Sequence, residues 1–392
     1  MIDVFTMAAA GLTTVGVLQS TAGWLAVNQF ASRKVALPGY CPPVTILKPL
    51  HGDEPLLEEA LASFCDQDYP EFQIVFGLQD PADPALKVLA RLRARFPALD
   101  MAVVVDPTPH GLNRKVANLI NMAPKARYDV LVIADSDIHA APDYLTQLVA
   151  SLQMPGVGLV TTLYAGMPAG TALTGRLGAE QINHAFLPGA LMARALGRQD
   201  CLGATMALTR ETLDSVGGLH ALADHLADDA VLGRLVKAQG LSIALAATVP
   251  ATTVGEAHLP ELFAHELRWA RTIQSLEAVG FAMSCVQYPL FWAALAVGLS
   301  GGAPWAWLGF ALAWLVRGLV GHGIDRALGL APGVGIWCLP FRDLMSIAVM
   351  LASYRSDRVA WRGQILRATR PSLAPGEGYI RREIDSVRDR LA

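Results

Sequence analysis

Acidic residues recur along this 392-residue chain where a cation could be held or a proton taken up. Asp80 follows the apolar run QIVFGLQ, and Asp135 and Asp137 follow VLVIA as an Asp-Ser-Asp tripeptide. On an extended segment residues i and i+2 project to the same side. Two carboxylates aimed at one point repel each other unless a cation lies between them. A hard divalent ion, Mg2+ or Mn2+, meets that need and is usually shared with a diphosphate. The plainer alternative is a solvated turn. A third is a phosphatase with an aspartyl nucleophile, but that motif wants Thr or Val where His139 stands, and on the first strand.

Asp228 and Asp229 open a helical segment in LADDAVLGRLVKAQG. Carboxylates there are favoured by the helix dipole alone, yet one of them could also act as a general base toward an attacking hydroxyl. His265, Arg268 and Trp269 in HELRWARTI are spaced i, i+3, i+4 and so share one helix face. An arginine there can neutralise a diphosphate leaving group, and a tryptophan offers a flat surface to a sugar or acceptor. The alternative is an interfacial helix with a snorkelling Arg and an anchoring Trp.

These groups need rigid elements behind them. From about Pro42 to Arg271, short β-rich runs (44–50, 73–79, 101–106, 130–135) alternate with amphipathic segments (54–67, 84–96, 113–123). That rhythm predicts an α/β domain with a mostly parallel sheet covered by helices, and such sheets bind ligands at the carboxyl ends of their strands. The remainder is different material. Apolar residues make up 53% of the chain and charged ones 17%, against about 25% charged in an average soluble protein. The uncharged stretch between Asp3 and Arg33 is long enough to cross a bilayer. Its basic residues, Arg33 and Lys34, follow the apolar run, which disfavours a signal peptide and marks the cytoplasmic side. A second stretch, Ala278 to Val316, is split by Ser300–Pro304 into a hairpin of two spans. The region from Leu328 to Tyr354, interrupted by Pro340 and Arg342-Asp343, reads as re-entrant or interfacial. The expected organisation is an anchor (1–34), a cytoplasmic catalytic domain (35–276) with an interfacial helix at 259–276, a membrane region (277–354) and a basic tail (355–392). A net charge of −3 gives no sign of a nucleic-acid partner. Five scattered cysteines argue against a zinc site or a disulfide framework and for a reducing compartment.

In order and spacing, Asp80, Asp135-x-Asp137, Asp229 and HxxRW resemble the D, DxD, D, (Q/R)xxRW pattern of the ceramide glucosyltransferase family, with His265 where Gln or Arg is usual. ILKPLHGDEPLLEEALASFCDQDYP, LQDPADPA, NRKVANLINM, GATMALTRETLD and LADDAVLGRLV also look like that family's blocks. INMAP, ADHLADD and HELRWARTI lean toward its bacterial hopanoid-biosynthesis branch. The resemblance implies a GT-A fold flanked by N- and C-terminal transmembrane helices, and inverting transfer of glucose or N-acetylglucosamine from a UDP-sugar to a membrane lipid. A hopanoid polyol is the expected acceptor and ceramide the alternative. It implies that Asp80 reads the uracil, that Lys115 and Asn118 lie near the nucleotide, and that Asp135 and Asp137 hold the metal bridging the diphosphate. Asp229 is then the base, and Arg268 and Trp269 close over donor and acceptor. The implied location is the cytoplasmic face of a bacterial inner membrane. A processive polysaccharide synthase shares the motifs but needs more spans, and a non-catalytic nucleotide-sugar or lipid binder would not need the base.

Overall fold

The computed structural model describes residues 3–33, 37–361 and 364–367. Lys34 and most of the basic tail, Arg362 and Arg370 among it, lie outside the described residues. Strands β1 (Val44–Pro49), β2 (Phe72–Leu78), β3 (Asp100–Val105) and β4 (Val130–Ala134) pair in parallel, as the alternation predicts. They form one side of a seven-stranded sheet of order β3-β2-β1-β4-β8-β6-β9. The far side consists of β6 (Val157–Thr161), β8 (Thr205–Thr209) and β9 (Ser242–Leu245), with β8 running antiparallel between β4 and β6. A second, three-stranded sheet joins β5 (Ile138–His139), β10 (Ala251–Val254) and β7 (Ala165–Pro168).

The alternation of side chains along each strand divides the interior in two. Ile46, Ile74 and Val132 face α2 (Leu57–Cys65), α3 (Ala85–Arg95) and α5 (Tyr144–Leu152). Leu47, Val75 and Ile133 face α4 (Arg114–Met122), α8 (Arg210–Ser215) and α9 (Asp228–Ala238). Because both faces are covered, the central strands are mostly apolar. Lys48 on β1 carries a charge there and is fully buried.

The apolar segments gather on one side of this domain. Helix α1 (Val4–Ala31), capped by the Asp3 carboxylate accepting from the Thr6 N–H at 2.7 Å, packs on α12 (Pro289–Leu299) and α13 (Pro304–Leu328). It also touches α7 (Leu187–Ala195), which a five-residue π-helical turn (Ile182–Phe186) joins to α6 (Leu173–Gln181). Contact with the 3-10 turn Ser284–Gln287 before α12 is close: a Cβ on Gly16 would lie 2.4 Å from the Val286 carbonyl oxygen. The sheet domain leads into this region through α10 (Leu259–Leu276) and α11 (Ala278–Met283).

Two features differ from the expected hairpin and its sequel. The break at Ser300–Ala303 does separate two helices, but the first arm is itself bent by 68° between Ala278–Gln287 and Pro289–Leu299. In the third region α14 (Leu339–Ser353) runs straight through Arg342 and Asp343. Pro340 lies in its first turn, where a missing N–H costs nothing. The two charges do not break the helix because both are buried and paired inside the protein. Among the described residues, Val4–Ala31, Pro304–Leu328 and Ile336–Ser353 are long and apolar enough to cross a membrane. The bent pair would make a fourth if it counts as one span.

Candidate active site

A cavity of about 630 Å3 opens beyond the carboxyl ends of β1 and β4. Asp135 leaves β4 with its N–H donating to the Ala204 carbonyl, and the tripeptide that follows is held from three sides. Lys48 Nζ donates to the Asp135 carbonyl oxygen at 2.5 Å and lies 3.7 Å from the centre of the Phe64 ring. The Ser136 hydroxyl donates to Glu54 at 2.5 Å, and the Thr252 hydroxyl donates to Asp137 Oδ2 at 2.6 Å. Thr252 pairs with Ile138 across the second sheet, so the small sheet fixes the direction in which Asp137 points.

Asp135, Asp137, Asp228, Asp229 and Lys115 all line this cavity. The N-terminus of α4, capped by Asn113, presents Lys115 into it; Nζ sits 2.6 Å from Asp135 Oδ1 and 3.8 Å from Asp228 Oδ2. Burial disfavours the ammonium, but Asp135 and Asp228 outweigh it and raise Lys115 above the ordinary lysine value. Burial, with Lys115 partly opposing it, raises Asp228 above the usual carboxylate range. Asp229 is pushed up to about 6 by burial and by Asp228 beside it. Burial and the Asp135 charge also raise Asp137. Lys48 is lowered to about 7 by burial, against the pull of Asp137 and Asp135.

The two adjacent aspartates do different things. Asp228 is buried and faces Lys115 and the Asn113 amide. Asp229, about 100° further around the helix, accepts from the Ala230 N–H at 2.7 Å and borders Gly203. A Cβ on Gly203 would stand 2.8 Å from Asp229 Oδ2, so only glycine leaves that carboxylate its place.

Helix α10 forms the opposite wall with His265, Glu266, Arg268 and Trp269. His265 Nδ1 pairs with Glu256 Oε1, and its ring packs edge-on against Trp269 with centroids 4.5 Å apart. Where the resembling pattern has Gln or Arg, this chain thus carries a histidine with its own carboxylate partner. Tyr164, stacked on Phe186 at 4.8 Å, completes the apolar side.

Two residues of the expected set lie elsewhere. Asp80 is exposed at the end of β2, with Oδ1 accepting from the Ala82 N–H, and is not part of the cavity wall. Asn118 is buried behind the sheet, where its amide donates to the Gly77 carbonyl at 2.8 Å and ties α4 to β2. Conversely, sequence reading passed over Lys48, Tyr164 and the Glu256–His265 pair. Lys48 alone left a signal, as a lone charge within an apolar strand. The other two come together only through the second sheet and the turn into α10.

The model of glycosyl transferase family 21 matches residues 4–373. Ceramide glucosyltransferase 1 of Caenorhabditis elegans is 23% identical over 336 residues, which cover 82% of this chain and 70% of that protein. The ceramide glucosyltransferase of Komagataella phaffii is 33% identical over 138 residues, covering 33% of this chain and 27% of its own length. In architecture the chain resembles a mannosyltransferase from Pyrobaculum calidifontis, solved in complex with GDP-Man and Mn2+. That likeness has a TM-score of 0.50 at 20% identity and covers 90% of this chain and 99% of the other. The chain belongs to glycosyl transferase family 21, and it is a glycosyltransferase of the GT-A type.

Proposed function

We propose that the protein transfers glucose or N-acetylglucosamine from a UDP-sugar to a hydroxyl of a membrane lipid, with inversion at the anomeric carbon. The observation that carries this reading is the meeting, in one cavity, of Asp135, Asp137, Asp229, Lys115 and Arg268. The cavity lies beside α10, which leads directly into the apolar helices.

Asp135 and Asp137 fit a divalent cation, Mg2+ or Mn2+. They offer only oxygen donors, the kind such an ion prefers, and both line the cavity. Among the described residues no group of three or more His, Cys, Asp or Glu is placed to hold a metal. Two carboxylates supplemented by substrate oxygens are an ordinary set for such ions. When bound, the ion would offset charge on the diphosphate. Lys115, already beside Asp135, and Arg268 across the cavity supply further positive charge to the departing UDP. Asp229, ionised above pH of about 6, takes the proton from the attacking hydroxyl. Trp269 offers its face to the sugar or the acceptor. Asp80, at the end of the neighbouring strand, would meet the uracil at the outer end of the donor. Asn118 acts at a distance by holding β2 against α4. A single displacement gives a β-glycoside from an α-linked donor.

The acceptor reading is a hopanoid polyol, supported by the INMAP, ADHLADD and HELRWARTI segments. Ceramide is the alternative, supported by the names of the relatives. The site would face the cytoplasm of a bacterial cell, with the helices in the inner membrane. A lipid acceptor resists leaving the bilayer, at about 0.8 kcal/mol per exposed methylene, so a site at the membrane surface avoids that cost. The test is purified protein in lipid nanodiscs with radiolabelled UDP-sugars and either lipid. Labelled glycolipid of β configuration, lost with EDTA, is expected. UDP-sugar left intact with both lipids would sink the reading.

A further inference from the structure

The helix that bears Arg268 and Trp269 packs on α14 through apolar side chains and is tied to it by one buried arginine. Arg342, in the first turns of α14, is 1% exposed, and Glu266 on α10 is 7% exposed. Nη1 donates to Glu266 Oε1 at 2.8 Å and Nη2 to Oε2 at 2.7 Å, a parallel fork. The remaining donor capacity reaches α6: Nη1 to the Leu177 carbonyl at 3.2 Å, and Nη2 to Ser346 Oγ, which itself donates to Gln181 Oε1 at 3.0 Å. Both Glu266 and Gln181 line the cavity. Trp269 is three residues beyond Glu266 and shares its side of the helix. A bidentate pair fixes angle as well as distance, so this fork constrains the rotation of α10 about its axis.

We propose that Arg342 is a positioning residue for the transfer reaction, acting through Glu266 to hold α10 at the angle that directs Arg268 and Trp269 into the cavity. On the reading above, those two groups face the substrates, and the fork lets an apolar helix outside the sheet domain set the catalytic geometry. Arg317 and Asp343 are the nearest other charges between the apolar helices, 3.9 Å apart. Asp343 also accepts from the Leu290 N–H, so that pair serves α12 and α13.

The test compares full-length protein in nanodiscs carrying Arg342→Lys, Arg342→Met, or Glu266→Leu with Arg342→Met. Two readouts are taken, amide hydrogen exchange of 259–276 against 130–134, and kcat and KM for the sugar donor. Lysine keeps the charge and loses the fork. A small displacement of catalytic groups costs about 100-fold in rate, so Arg342→Lys should lower kcat on that scale, leave donor KM within about threefold, and speed exchange in 259–276 alone. The double variant removes both charges together, which buried pairs often tolerate, and should fold while kcat stays low. Recovery of wild-type kcat in the double variant would reduce the pair to charge balance and overturn the proposal. So would unchanged exchange of 259–276 in Arg342→Lys. Were the wild-type protein to transfer no sugar, the preceding reading would fall, while the exchange comparison would still decide whether the fork holds α10.

Discussion

Two clusters of buried charge lie on either side of α10 and are built for opposite ends. In the cavity, four carboxylates (Asp135, Asp137, Asp228, Asp229) surround Lys115, with Lys48 beneath them. Negative charge is in excess, and burial, with neighbouring carboxylates adding to it, raises Asp137, Asp228 and Asp229. At the junction with the apolar helices, charge meets charge at close range. Arg342 forks onto Glu266, and His184 sits between Glu180 Oε1 at 2.5 Å and Asp325 Oδ1 at 2.7 Å. The first cluster is left wanting positive charge and so favours a cationic or proton-bearing visitor. The second pairs each cation with a carboxylate at hydrogen-bond distance and favours one arrangement of helices. On the proposed reading, similar residues serve chemistry in one place and assembly in the other, and the difference lies in how many carboxylates share each cation.

The sharpest way to separate them is to neutralise one carboxylate in each. Asp229→Asn should cut transfer by about 10²- to 10⁴-fold, the range for a lost general base. It should not lower the melting temperature at pH 7.5. Asp229 is raised to about 6 from 3.8, so its favourable contribution is full below the unfolded value and is lost as pH rises through about 6. Above that, the ionised group weakens the fold and asparagine relieves it. For the same reason, wild-type rate should climb with pH through about 6. A pH-rate profile and thermal melts in parallel check both statements, and a strongly destabilised Asp229→Asn would erase the contrast.

His184→Gln should do the reverse, lowering stability with little direct effect on chemistry. Breaking one side of a buried pair costs about 3–5 kcal/mol. Burial disfavours the imidazolium, but Glu180 and Asp325 more than compensate and raise it to about 9 from 6.5. Its stabilisation is therefore complete below about 6.5 and lost as pH rises through about 9. Melts at pH 6 and pH 9.5 should show the wild-type advantage over His184→Gln shrinking at the higher value. A gap that widened with pH would mean the histidine is neutral in the fold.

Smaller effects should refine the cavity's side of the contrast. Gly203→Ala pushes a methyl against the Asp229 carboxylate, and we expect kcat to fall by roughly tenfold, the equivalent of about 1.4 kcal/mol. Asp80→Asn, outside the cavity wall, should raise donor KM a few-fold with kcat nearly unchanged, as loss of uniform binding does. Steady-state kinetics with UDP-sugar distinguishes the two. An equal fall of kcat in both would place Asp80 closer to the chemistry than its position suggests.

The half of the sheet that is parallel could be read from sequence because local rules suffice there. Four apolar runs, each ended by a polar or acidic residue, forecast β1 to β4 within a residue or so, and with them the station of Asp135. The other half depends on pairings that have no local signature. Strand β5 is two residues long, and β10 crosses to it from more than a hundred residues away, yet Thr252 is what orients Asp137. The Asp228-Asp229 pair was legible as acidic but not as divided, since the division is a single helical step of rotation. Arg342-Asp343 read as an interruption of an apolar stretch because their partners, Glu266 and the Leu290 amide, are remote in sequence. The resemblance groups Asn118 with the nucleotide, while in the fold its amide is spent on the Gly77 carbonyl of β2.

The Arg342 fork also has a bearing on the order in which the protein is made. Glu266 emerges from the ribosome 76 residues ahead of the arginine that holds it. Until α14 has been synthesised and seated, α10 carries a carboxylate without its arginine partner. The sheet domain can fold early, with the acidic tripeptide already in place, yet the wall facing it stays unlocked. Completion of that wall thereby waits for α14 and for the apolar helices that precede it.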